Sequence, residues 1–209
     1  MRNRIVVTAI VALGMAPLGA WAQLPSLPGF GSKSAGGPDL VASQTGLVTS
    51  YVGASKDVLT SQAKMLAALG LKDQAAKAQA ESDSLSAGAT AGNIKDEEAV
   101  QSDESKALAE ALKAPVGTLD AESKKTYTQG LVFLASGLVK YSGMSKDVDA
   151  FRSGLSGASL LQTPKLQTGA YIVKSVPGNL QNLTETMKNA VAFAHSHGIE
   201  VPPEATAVI

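Results

Sequence analysis

Residues 120–155 read DAESKKTYTQGLVFLASGLVKYSGMSKDVDAFRSGL. Large apolar side chains recur at Tyr127, Leu131, Leu134, Leu138, Tyr141, Met144, Val148, Phe151 and Leu155, in alternating steps of four and three. That spacing puts all of them on one face of a helix. Thr118 or Asp120 is placed to cap its start. The stretch predicts one continuous helix through Leu155, with an apolar stripe that needs other helices to cover it.

Within it, YSGMSKDV at 141–148 has a near copy, YVGASKDV, at 51–58. Tyr, Gly, Ser, Lys, Asp and Val coincide, and a GLV precedes each copy, at 46–48 and 137–139. The first copy lies in a second stripe, Leu40, Leu47, Tyr51, Val58, Met65 and Leu69, with Ala54 and Gln62 filling the intervening steps and Gly70 marking the end. Two local readings compete. Gly53 and Gly143 could each end a helix, with Ser55 and Ser145 capping the next. Alternatively, each octapeptide lies inside one helix. A break would reset the helical phase, and the stripe keeps its phase through both copies. The motif is therefore expected in mid-helix, with its Tyr and Val in the core and Lys56, Asp57, Lys146 and Asp147 in solvent. Repetition of such a unit points to two diverged halves, each built on a long helix.

The remainder also reads as helix. An Ala-rich segment, 72–87, has only a thin face at Leu71, Ala75, Ala78 and Leu85. Residues 88–102, GATAGNIKDEEAVQS, read as a loop or a frayed helix start. A short helix follows through Leu108 and Leu112 and stops before Pro115. Thr163–Pro164 suits the start of another helix, which Pro177 kinks or ends. A last helix carries Leu180, Leu183, Met187, Val191 and Ala194 as far as Gly198. No alternating β-branched run is present. The fold class is all-α, a helical bundle of about six helices over 39–197, with an extended tail at 198–209.

Glycine inside a helix costs about 1 kcal/mol relative to alanine. Gly46, Gly53, Gly130, Gly137 and Gly143 all fall inside the two long helices, so their presence needs a reason. One is close crossing of two backbones. The other is room for a flat apolar ligand beside the two repeated tyrosines. The second makes Tyr51, Gly53, Gly137, Tyr141 and Gly143 the candidate ligand-binding residues.

Other chemistries lack their residues. The chain has no Cys and two His. His195 and His197, two apart, diverge on a helix and have no marked co-ligands for a metal. They suit a helix C-terminus instead. Asp96, Glu97, Glu98, Asp103 and Glu104 form an acidic patch without the order of a calcium loop, and they read as acids near a helix N-terminus. Ser61 and Lys64 make an S-x-x-K without its K-T-G or S-D-N companions. No catalytic residue, metal ligand or cofactor is nominated, and a non-enzyme is expected.

The N-terminus reads MRNRIVVTAIVALGMAPLGAWA. Arg2 and Arg4, the apolar run Ile5–Leu13, and Ala20-x-Ala22 have the order of a secretory signal peptide over 1–22, cleaved before Gln23. Residues 23–38, QLPSLPGFGSKSAGGP, are a flexible Pro/Gly/Ser linker. Cleavage leaves 16 basic against 18 acidic side chains, too balanced to recruit nucleic acid by charge. It also leaves no transmembrane segment. The expectation is a periplasmic or secreted, non-enzymatic helical bundle that binds a protein partner or an apolar, lipid-like ligand. The alternatives are an envelope structural or stress factor acting only through protein contacts, and a hydrolase with unmarked residues.

Overall fold

The computed structural model describes residues 39–157 and 163–209, so the expected signal peptide and linker lie outside the described residues. The helices are α1 (Leu40–Ala68), α2 (Lys72–Ser84), α3 (Ala91–Ala111), α4 (Ala121–Gly143), α5 (Ser145–Ser156), α6 (Gln167–Ser196) and the single turn α7 (Pro203–Thr206); a 3-10 turn, Thr163–Leu166, precedes α6. No strand occurs among the described residues. The fold is an all-α bundle built on six helices longer than one turn.

Helix ends are set by ordinary local chemistry. The Asp39 carboxylate accepts from the Val41 and Ala42 amides at 3.0 and 3.3 Å. Asp120, rather than Thr118, caps α4 by accepting from Ser123 N–H at 2.7 Å. At the far end of α1, Gly70 takes φ +84° and the Leu71 amide donates back to the Leu66 carbonyl at 2.9 Å. Gly198 (φ +60°) ends α6 in the same way, with Ile199 N–H on the Ala194 carbonyl at 2.9 Å. Both are left-handed stops that glycine adopts at no steric cost.

The organising pair is α1 against α4, and the two run antiparallel. A Cβ on Gly130 would stand 2.5 Å from Met65 Cγ and 3.2 Å from the Ser61 carbonyl oxygen. One on Gly137, a heptad further along α4, would stand 2.7 Å from Val58 Cγ2 and 3.3 Å from the Ala54 carbonyl oxygen, a heptad back along α1. These two glycines are therefore the close backbone crossing. Tyr51, Tyr127, Tyr141 and Phe151 are fully buried around it, with Leu, Val, Met and Ala filling the space between.

Four expectations need correction. The helix through 120–155 is interrupted at Met144, whose ψ of −8° separates α4 from α5. Met144, Val148 and Phe151 stay buried, so the apolar phase survives the break, which is why periodicity missed it. Of the segment 88–102 only 88–90 lie outside a helix, and the rest is neither loop nor frayed start: α3 starts at Ala91, with Thr90 Oγ1 accepting from Asn93 N–H at 3.3 Å and Asn93 Oδ1 accepting from Thr90 N–H at 3.0 Å. Pro177 neither ends nor divides α6. Val173, Val176, Leu183 and Met187 on either side of it are all buried. Packing on both sides offsets the cost of about 3 kcal/mol for an interior proline. Finally, the tail is not merely extended: it contains α7 and buries Ile199, Pro202 and Ala205. Lys124 Nζ and Thr128 Oγ1 of α4 hold it by donating to the Gly198 and Glu200 carbonyls at 3.3 and 2.9 Å.

Candidate functional site

The five residues nominated from the sequence fall into three places. Tyr51 and Tyr141 meet edge to face, with ring centroids 5.5 Å apart and planes at 88°. Gly137 lies at the helix crossing, where Val58 occupies the space a ligand would need. Gly53 and Gly143 do come together, lining a hollow of about 260 Å³ with Thr49, Ser50, Lys140, Met144 and Asp147. Neither tyrosine lines that hollow.

The repeated Lys–Asp pairs are not alike either. Lys146 and Asp147 are exposed as expected; Lys56 is only partly exposed, and so is Asp57. Its side chain is 16% exposed, forms an ion pair with Lys140 at 2.6 Å and accepts from Ser136 Oγ at 2.5 Å. Asp57 thus ties α1 to α4, a role that its copy Asp147 does not share.

The tyrosine pair opens into a polar network that periodicity could not find. On one side, Tyr141 Oη and Ser55 Oγ share a hydrogen bond of 2.8 Å. On the other, Tyr51 O–H donates to Glu98 Oε1 at 2.7 Å, and Tyr51 Oη lies 3.3 Å from Glu97 Oε2. Tyr171 of α6 donates to Glu98 Oε2. Asn179 Nδ2 donates to Glu98 Oε1 at 2.9 Å and to Tyr51 Oη at 3.3 Å. Three helices, α1, α3 and α6, therefore converge on one carboxylate.

The two adjacent glutamates play different parts. Glu97 is fully buried. Burial first, and the neighbouring Glu98 charge second, push its carboxyl up to about 8. Near neutral pH it holds a proton, and the Tyr51 oxygen is placed to accept it. Glu98 sits at the edge of the bundle and keeps three donors around it. Burial chiefly, with the Glu98 hydrogen bond second, raises Tyr171 to about 12, so Tyr171 stays a donor. Burial pushes Tyr51 further in the same direction.

The polar face continues down α3. Glu97, Gln101 and Glu104 are buried between the apolar anchors Ile94 and Leu108. Gln62 of α1 donates to the Gln101 carbonyl at 2.9 Å and to Ser105 Oγ at 2.8 Å, and Lys77 of α2 pairs with Glu104 at 3.4 Å. Glu97 Oε1, Gln101 Oε1, Glu104 Oε2, Gln62 Oε1 and Ser61 Oγ have no protein hydrogen-bond partner. So the acidic patch does not belong to a helix N-terminus: Glu97 and Glu104 belong to the buried face, while Asp96 and Asp103 are exposed.

Glu98, Gln101 and Asn179 also line an open groove of about 300 Å³ between α3 and α6. Its walls mix hydroxyls and amides, Ser102 and Ser105 on α3 and Asn182, Thr186 and Asn189 on α6, with the apolar side chains of Ala109 and Leu183. Through Glu98, Gln101 and Asn179 the buried network reaches a concave surface.

The remaining candidates have structural surroundings. His197 stacks on Phe193 with centroids 3.9 Å apart at the end of α6, and His195 is exposed. Lys64 donates to Gln129 Oε1 at 3.1 Å. Among the described residues, no group of three or more His, Cys, Asp or Glu could hold a metal ion. Also among them, no helix is long and apolar enough to cross a membrane. Comparison with protein-family models, with curated proteins and with solved structures yields no match.

Proposed function

We propose that this chain is an exported, non-enzymatic binding protein whose working surface is the groove between α3 and α6. The observation that carries the reading is Glu98. It is the half-buried head of a network that spends two tyrosines and an asparagine on positioning one carboxylate at the mouth of a concavity. Three donors drawn from two other helices hold the group in one geometry, which is what preorganised recognition needs.

A hydrolytic reading has less support. Glu97 has the raised proton affinity of a general acid, but it is fully buried, and a general acid must come within hydrogen-bond reach of its substrate. Storage of a flat apolar ligand between the repeated tyrosines also has less support, because Val58 fills the space at Gly137 and the hollow at Gly53 and Gly143 is lined by neither tyrosine. Export rests on the arrangement of Arg2, Arg4, the apolar run and Ala20-x-Ala22.

The test is nuclear magnetic resonance on the mature, isotope-labelled protein, titrated with a panel of small polar compounds. The expected result is that the responding signals cluster on the side-chain amides of Gln101, Asn179, Asn182 and Asn189. Responses confined to other faces, or turnover of a panel member, would refute the reading.

A further inference from the structure

We propose that the α3–α6 groove takes a primary ammonium group, seated between the Glu98 carboxylate and the side-chain oxygen of Gln101. The inference rests on the groove being the binding surface, and goes beyond that by naming the chemistry of what binds there.

Three observations lead to it. First, Glu98 has no cation. None of the ion pairs among the described residues involves it. Lys95, one turn before it on α3, holds its ammonium over the Tyr171 ring, 5.4 Å from the centroid. A carboxylate has about four lone-pair positions. Tyr51, Tyr171 and Asn179 fill three, all with neutral donors. One acceptor position and the whole negative charge are left for something else.

Second, Gln101 follows Glu98 by one turn, on the same face of α3. It is only 6% exposed and lines the groove, and its Oε1 has no partner. A buried amide oxygen without a donor is costly to keep. Gln101 and Glu98, three residues apart on α3, both line the groove, and each keeps an acceptor without a donor. An ammonium, with three N–H donors and a positive charge, satisfies both at once.

Third, the charges that line the groove are Glu98, Glu185 and Lys106. The one cation among them already lies 3.5 Å from Asp103. The groove therefore favours a positive guest and disfavours a carboxylate or phosphate. Beyond the ammonium seat, Ser102, Ser105, Asn182 and Asn189 offer hydroxyls and amides to a guest, with Ala109 and Leu183 as apolar contacts among them.

Two sources supply such a group: an aliphatic polyamine and the amino terminus of a peptide. Calorimetric titration of the mature protein with butane-1,4-diamine, triglycine and N-acetyltriglycine separates them. Saturable binding of the diamine or of triglycine, with N-acetyltriglycine at least about tenfold weaker, supports the ammonium seat. Whichever of the first two binds more tightly identifies the source.

Glu98→Gln keeps the shape and removes the charge, and is expected to weaken binding by about tenfold or more. Gln101→Met removes the second acceptor at nearly constant length, and is expected to weaken it by several-fold. It also keeps the test alive if Glu98→Gln unfolds the head of the network, which a melting curve reports. Equal affinity for triglycine and its N-acetyl form overturns the ammonium seat while leaving the groove a binding surface. So does wild-type affinity in folded forms of both variants. Failure of all three probes to bind at about 10 mM overturns it as well, and the broader panel then decides whether the groove binds anything.

Discussion

The glycines of the two long helices divide into a group that packing requires and a group that it does not, so the same substitution should have opposite signs at different positions. Take Gly137→Ala against Gly53→Ala. Both replace glycine within a helix, where alanine is favoured by about 1 kcal/mol. At Gly53 nothing lies within 4 Å of the added methyl, so the propensity gain stands alone. At Gly137 the methyl would come to 2.7 Å from Val58 Cγ2 and 3.3 Å from the Ala54 carbonyl oxygen. Val58 is β-branched and has few alternative rotamers in a helix, and the carbonyl belongs to the backbone, so neither gives way cheaply. Overpacking of this kind costs about 1–3 kcal/mol, which cancels or exceeds the gain. The two variants should therefore differ by about 1–3 kcal/mol in unfolding free energy, or several degrees in melting temperature. Urea unfolding followed by circular dichroism, run beside thermal melts, measures the difference. Equal stabilisation by both substitutions would show that α1 and α4 do not cross at Gly137, and the account of the core would fall with it.

Glu97 makes stability fall with rising pH. Its folded pKa of about 8 lies above the ordinary 4.5 of an unfolded glutamate, so its contribution is complete below 4.5 and is lost as pH rises towards 8. The slope in that window is at most about 1.4 kcal/mol per pH unit. Glu97→Gln should flatten it and leave the variant the more stable protein at pH 8; an unchanged slope in chemical denaturation between pH 5 and 8 would remove Glu97 as its source. Asp57→Ala, which breaks a contact with Lys140 and Ser136, should cost clearly more than Asp147→Ala, whose change stays within about 0.5 kcal/mol; equal losses would restore the equivalence of the two SKDV copies. Intact-mass measurement of the protein recovered from the periplasm or medium should give an N-terminus at Gln23, and retention of residues 1–22 would reverse the proposed export.

What could be read from the sequence was the part of the bundle that hydrophobicity encodes. The stripe from Tyr127 to Phe151 is apolar at every inward position, so its burial was predictable residue by residue. α3 escaped because Glu97, Gln101 and Glu104 occupy the places where apolar residues carry the signal. The trace it did leave was Ile94 and Leu108 spaced by whole turns, with the polar residues in step between them. The break at Met144 left its trace in Gly143 and Ser145, but the reading that ends a helix there was set aside because the break changes one backbone angle and no burial pattern. The candidate site was half legible. Tyr51 was nominated for its repetition, and it does belong to the network. Its partners Glu98, Tyr171 and Asn179 come from distant segments, and no spacing within one helix relates them. The pairing of Tyr51 with Tyr141 was foreseen only as shared burial, not as direct contact.

The α1–α4 crossing joins segments far apart along the chain: Ser55 and Tyr141 are separated by 86 residues. A chain that appears from its N-terminus presents α1, then α2 and α3, before any of α4 exists. Through that interval Val58 and Met65 have no glycines to settle against, and the stripe along α1 stays partly uncovered. Closing so long a loop costs little more than closing one of half the length, about 0.6 kcal/mol, but the cost comes before any reward. α1 and α2 can pair as they appear, but the principal contact must wait, and the arrival of α4 is the expected slow step. A polypeptide that stops at Ala111 is therefore expected to self-associate, with the adhesive half of its principal contact exposed and the complementary half not yet made.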